Sequence, residues 1–314
     1  MGKAQETWIC GFWRRIGALC ADFLFLAIVG NLLGITQKDF LAQLGGWGLL
    51  VGFAISIIYF GVMNSSLVNG QTLGKMLLKI RVVDSSNSTV SLPMSFLRSS
   101  IVLIPVFLSV AQLPSEVLLP YLIYPLSFII LGGFLSILYL YIFNRVTRQS
   151  LHDLVSGTYV VSVNGSIGTP LSIWKPHLVI VTLVLITSFL SPIFTSDLVK
   201  SKDFISLLET EREIRKNKLV KSATVQEVSS TFNSFDSSSK TIKFVEANVF
   251  LHKKGVYDAN IAKRLAAIIV DVYPDSLNNS FIQVTLTYGY DIGISSRWYS
   301  NVYRFSPKDL TRLK

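Results

Sequence analysis

The sequence predicts an α-helical polytopic membrane domain of about five transmembrane helices, followed by a small α+β extracytoplasmic domain. Three observations carry that prediction. Half of the 314 residues are apolar, 15% are charged and mean hydropathy is +0.50, a balance that fits a membrane protein and not a soluble enzyme. Charge is also spread unevenly, because residues 200–314 hold 18 of the 29 Lys+Arg and 12 of the 19 Asp+Glu. The composition therefore breaks near residue 197. The third observation is the placing of basic residues around the apolar runs.

Crossing ~30 Å of hydrocarbon takes about 20 predominantly apolar residues in a helix. Residues 16–36 carry a single charge, Asp22, and residues 47–63 carry none. The run 99–113 is shorter and contains Pro105, 118–143 is uncharged with Pro120 and Pro125 near its start, and 178–196 is the fifth. With these spans, Lys3, Arg14, Arg15, Lys75, Lys79, Arg81, Arg98, Arg145, Arg148 and Lys175 share one side. The other side receives Lys38 alone among the short segments. Basic loops stay inside, so the N-terminus and the loops 64–98 and 144–177 are expected in the cytoplasm. The C-terminal region is then expected outside. The first span reads as a retained anchor and not as a cleaved signal peptide, and Cys10 and Cys20 imply no disulfide framework.

The two cytoplasmic loops are patterned. In "NGQTLGKMLLKIRVVD" (69–84), Asn69-Gly70 marks a turn, and Leu73, Met76, Leu77 and Ile80 at helical spacing predict an interfacial helix. "KIRVVD" and the nearby "TVSL" predict a short hairpin around Ser85–Ser88. Gly70, Gly74 and Lys75 do not make a phosphate loop, since the spacing is one residue short and Met76 stands where a metal-binding hydroxyl belongs. "NRVTRQSLHDLVSGTYVVSV" (144–163) repeats the plan, with a helical turn through Leu151, Leu154 and Val155, a stop at Gly157 and a strand over 158–163.

Three motifs, "GFWRRIGALCAD" (11–22), the 69–84 stretch and "RQSLHDLVSGTYVV" (148–161), together resemble the RDD family of bacterial and archaeal membrane proteins. The resemblance covers roughly residues 8–165 and does not reach the C-terminal region. It implies a multi-pass protein of the prokaryotic plasma (inner) membrane. The family is named for one arginine and two aspartates, and the matching positions are Arg15, Asp22 and Asp153, with Asp84 as an alternative for the last. Some members look like sodium/proton antiporters that depend on those charges. The resemblance thus implies a secondary transporter exchanging a monovalent cation for protons; the alternative is a non-transporting scaffold or assembly protein whose outer domain binds a partner.

Arg15 and Asp22 stand seven residues apart on one helical face, with Gly11 and Ala18 beside them. An aspartate at this depth must face protein, water or a cation. Two readings stay open: Asp22 carries a proton or cation, tuned by Arg15 and by His152 or Asp153, or it is one end of a buried ion pair locking the first span to "LHD". His152 suits proton-linked work by its ordinary pKa of ~6.5, or simply caps its loop. Gly132-Gly133 marks a site of close helix packing.

After the spans, 197–222 reads as a polar stalk helix and 223–314 as a β-β-α-β-β domain. Val245, Ala247, Val249 and Leu251 are expected on one strand face, and Ile261, Leu265, Ile268 and Val272 on one helical stripe. No catalytic constellation is visible, so the chain is not expected to be an enzyme, and no cofactor or metal is expected. The expected partners are the lipid bilayer, a protein bound by the C-terminal domain and a second copy of the chain, with no nucleic acid.

Overall fold

The computed structural model describes residues 8–113, 122–165, 172–194, 197, 201–233 and 239–311. The chain divides into two compact units, one of residues 1–36, 46–194 and 292–295, the other of 37–45, 195–291 and 296–314.

The first unit is a bundle of long apolar helices. These are α1 (Phe12–Leu44), α2 (Gly48–Met63), α4 (Leu92–Ser109), α5 (Ile123–Phe143) and α7 (Lys175–Phe194), with the short α3 (Leu73–Leu77) and α6 (Leu151–Val155) between them. Four helical stretches among the described residues are long and apolar enough to cross a bilayer, and the first of these, Phe12–Met63, contains both α1 and α2. The radial pattern is that of a membrane protein. Leu24, Ile28, Leu32 and Ile35 of α1 and Leu183, Ile186, Leu190 and Ile193 of α7 point outward, while Asp22, Ser56, Arg98, Ser99, Ser136 and Ser188 are buried. Polar groups that hydrocarbon cannot solvate turn toward protein.

A helix lies over each of the five expected apolar runs, and several helix ends differ among the described residues. α1 extends to Leu44, with its helical geometry broken at Gln37 (φ −126°, ψ 24°), right after the apolar run. At the expected third span, 99–113, the helix bounds differ. The helix begins at Leu92, with a proline in its first turn, and ends at Ser109. Arg98 had marked the run's start as a charge, yet it is buried and ion-paired, so the helix continues through it. α5 contains a π-helical turn, Phe128–Gly132, just after Pro125; residues 118–121 of the expected fourth span and 195–196 of the fifth lie outside the described residues. A Cβ on Gly132 would touch Leu185 and Ser188 of α7, and one on Gly133 would touch Pro105 of α4, so the glycine pair does mark close packing.

The patterned loops fold differently from the expected local hairpin. β1 (Ile80–Asp84) pairs antiparallel with β2 (Thr158–Ser162), from Ile80 opposite Ser162 to Asp84 opposite Thr158. Residues 84–88 form a tight turn instead, with Asp84 Oδ1 accepting from the Ser86 and Ser88 amides. The interfacial helix is shorter than expected. α3 stops at Leu77, Lys79 takes φ 52°, and Ile80 is a fully buried strand residue. Ile80, Val82, Val160, Val90, Cys10 and Ala18 form one core cluster, and Trp8, Ile9, Val83 and Val161 another.

In the second unit, the sheet order is β3 (Val220–Asn233), β4 (Ser239–Leu251), β5 (Phe281–Asp291), β6 (Ser296–Phe305). β4 and β5 are parallel and the outer pairs antiparallel, so the connection from β4 to β5 must cross over through a helix; that helix is α9 (Ala259–Val272). Val245, Ala247, Val249 and Leu251 are all buried. On α9 the buried stripe is Ile261, Leu265 and Ile269 with Ala262 and Ala266, one residue out of phase with the expected Ile268 and Val272. The segment expected as a stalk holds α8 (Lys202–Arg215), whose Thr210 and Ile214 are fully buried. It is a packed layer of the domain. A short helix, α10 (Pro307–Thr311), follows the last strand.

Candidate functional site

The short loop helices carry the polar residues of the bundle inward. In the second loop, Ser150 precedes α6, and its amide donates to Asp153 Oδ2 at 3.2 Å, which fixes Asp153 at the third position of the helix. Gly157, at φ 63°, reverses the chain into β2. Asp153 is completely buried and sits between two arginines. Arg15 Nη2 of α1 approaches Oδ2 at 2.5 Å, and Arg98 of α4 reaches Oδ1 through Nη2 at 2.7 Å and Nε at 3.1 Å. Arg15 also donates to the Arg148 carbonyl and lies 5.0 Å from the Tyr141 ring centroid. Thr158 of β2 donates to the same carboxylate and accepts from Arg98. Burial alone would raise the Asp153 pKa, but the neighbouring His152 imidazole and the guanidiniums of Arg98 and Arg15 hold it well below the usual carboxylate range. One carboxylate thus ties α1, α4 and α6 together.

Arg15 and Asp22 line one cavity but take different partners. It is Arg15, not Asp22, that joins the first span to "LHD". Asp22 is 1% exposed and is held by three donors from other elements: Tyr59 Oη of α2 at 2.7 Å, Thr72 Oγ1 at 2.6 Å and the Gly74 amide at 2.8 Å. Thr72 is the N-cap of α3, so the loop helix docks its first turn on the aspartate. A Cβ at Gly74 would run into the Ala18 carbonyl; only glycine brings that amide so close to α1. His152 is buried, its Nε2 3.5 Å from Asp153 Oδ2. Burial pushes its pKa down to about 3, with Arg98 and Arg15 adding to the fall and Asp153 opposing it, so it is neutral near pH 7.

Asp22 and His152 meet at a cavity of about 130 Å³, lined also by Asn64, Lys75, Arg98 and Ser99, with room for several waters or a small ion. Lys75 Nζ donates to Asn64 Oδ1 at 2.6 Å. Burial and then Arg98 push its pKa down to about 7, against the pull of Asp22. Ser99 Oγ and His152 Nδ1 are buried without a hydrogen-bond partner among the described residues. Buried polar atoms of this kind call for water or a ligand.

A match follows from these motifs and their helices. Residues 9–157 match the RDD family. The C-terminal region lies outside the match. The uncharacterized protein YckC of Bacillus subtilis (strain 168) is 27% identical over 152 residues, which make up 48% of this chain and 82% of that protein. Within the RDD-matching region, the clamp of Arg15, Arg98 and Asp153 and the aspartate Asp22 have different hydrogen-bond partners, while Arg15, Arg98 and Asp22 line one cavity. Arg98 and Lys75 are the residues that sequence reasoning missed as site members. Arg98 had a signal, since it follows Ser91, Leu92 and Pro93 at helix-start spacing and so falls in a helix and not in a loop. Asp84, the alternative second aspartate, makes the turn at the end of β1.

The second unit holds its own cavity, of about 350 Å³, lined among others by Lys38, Asp39, Lys254, Tyr257, Tyr288 and Arg297. Asp39 lies 3.7 Å from Lys254 and accepts from Tyr288 Oη at 3.5 Å.

Proposed function

We propose that this RDD-family membrane protein is a secondary transporter that exchanges a monovalent cation for protons, with Asp22 as the carrying carboxylate. The observation that supports this is the cavity where Asp22 shares a wall with Lys75, a lysine poised near neutrality. Asp22, and after it Asp153, favour the charged form of Lys75. A cation arriving beside Asp22 cancels that attraction, and Lys75 then releases its proton. Arg15, Arg98 and Asp153 are positioning residues in this scheme, and His152 lines the cavity as a neutral group. The test is sodium-driven proton movement in liposomes holding the whole protein. Wild type should move protons, Asp22→Asn should not while still eluting as a folded particle, and Lys75→Met should flatten the pH profile around 7. Equal flux from wild type and Asp22→Asn would sink the proposal.

The proposed topology has five spans, α1, α2, α4, α5 and α7, with the N-terminus and both patterned loops cytoplasmic and the second unit extracytoplasmic, in a prokaryotic inner membrane. It is supported by the ten basic residues on one side against Lys38 on the other. A reporter enzyme that works only in the cytoplasm should be silent when fused after Lys314 and active when fused in the loop after Val163; the opposite pattern inverts the topology.

A second reading is favoured by one observation: both Asp22 oxygens are already occupied by donors. In that reading the charges hold helices together, and the second unit, through its tyrosine-lined cavity, binds a partner protein or another copy of the chain. It predicts no flux from either form in the same liposomes. Neither reading makes the chain an enzyme.

A further inference from the structure

We infer that the membrane unit binds the headgroup of an anionic phospholipid in a separate cavity at the joined ends of α1 and α5. This cavity, about 360 Å³, is lined by three arginines, Arg15, Arg145 and Arg148, with Asn144 among them. No carboxylate lines it among the described residues. Arg15 is engaged on Asp153 and on the Arg148 carbonyl, but the guanidiniums of Arg145 and Arg148 have no ion pair among the described residues. Asn144 is turned away from the task, since its amide donates to Thr147 Oγ1 at 2.7 Å and the Gln149 carbonyl at 2.9 Å; that bracing fixes the turn that carries both free arginines. The remaining walls are Phe12, Tyr141 and Ile142.

The chemistry fits a ligand that is anionic at one end and apolar at the other. Guanidiniums bind phosphate oxygens in pairs, and the excess of positive charge in the lining selects an anion. Phe12 opens α1 and Phe143 closes α5, so the arginines sit where apolar helix gives way to polar loop. Trp13, Phe143 and Val146 beside them are exposed at 80%, 56% and 55%. Such a rim is suited to acyl chains and headgroup together, as in basic pockets at helix ends that hold anionic lipid. A free phosphate would use the arginines and leave that rim unused.

The inference does not depend on transport. The experiment is native mass spectrometry of the full chain, purified in neutral detergent and titrated with dioleoyl phosphatidylglycerol, with dioleoyl phosphatidylcholine or inorganic phosphate in parallel. Wild type should retain phosphatidylglycerol at least tenfold more tightly than phosphatidylcholine. Arg145→Gln/Arg148→Gln should lose that preference, and Lys263→Gln, an exposed position of α9, should keep it. Should the double variant melt early, Arg145→Gln alone, at an exposed position, should still weaken binding at least threefold. Retention unchanged by these substitutions, or equal for the two lipids, overturns the site. Displacement of phosphatidylglycerol by inorganic phosphate at equal concentration overturns the lipid as its occupant.

Discussion

Replacing Asp153 with asparagine is expected to cost the membrane unit about 3–5 kcal/mol, the range for removing one partner of a buried ion pair. The shape is kept and the charge removed, so Arg15 and Arg98 are left buried with nothing to neutralise them. If Asp153 served mainly as the capping residue of α6, the loss would stay near ~1 kcal/mol. Additivity separates these cases. Arg98→Gln alone should be severe, but should add little in the Asp153→Asn background, giving a coupling above ~1 kcal/mol in thermal or denaturant melts of the purified protein. Additive effects would show that the two residues do not act as one clamp.

Gly74→Val is expected to be nearly as damaging, by roughly 3–5 kcal/mol, from overpacking and from loss of a hydrogen bond to a charged group. The new side chain would collide with backbone at Ala18, and backbone cannot rotate away. α3 must then lift off α1, carrying the Thr72 hydroxyl and the Gly74 amide from Asp22. Gly11→Ala is the matched control, since nothing lies within 4 Å of the Cβ it would add, and its melting temperature should be that of wild type. A stable Gly74→Val protein with Asp22 still inaccessible would show that the docking is adaptable.

The membrane helices were legible because hydropathy acts over long stretches and tolerates an error of several residues at each end. Arg15, Asp22, His152 and Asp153 were legible as residues, but not their partners. A charge in an apolar run says that a counter-charge or donors must exist, and not where: Arg98 lies 83 residues from Arg15 in the chain, and Thr72 is an ordinary cap by its local sequence. The hairpin expectation failed for a related reason. Strand propensity in "KIRVVD" is local, while the choice between Thr89–Leu92 and Thr158–Ser162 as its partner depends on where α4 and α5 bring the second loop. On α9, a stripe through Ile268 and one through Ile269 fit the apolar pattern almost equally, and packing against the sheet selected the latter.

The pairing of β1 with β2 also fixes a schedule for biogenesis. When the ribosome has finished residue 84, β1 has no partner, and none exists until two further hydrophobic helices have been made and residues 158–162 have followed them. A nascent chain halted before that point must leave the start of α1 and the end of α2 without their small sheet, and Ile80, Val82 and Val83 without cover. Closure of this end of the bundle thus waits on a strand that follows the RDD-matching region, 9–157, and is completed only as residues 158–162 emerge.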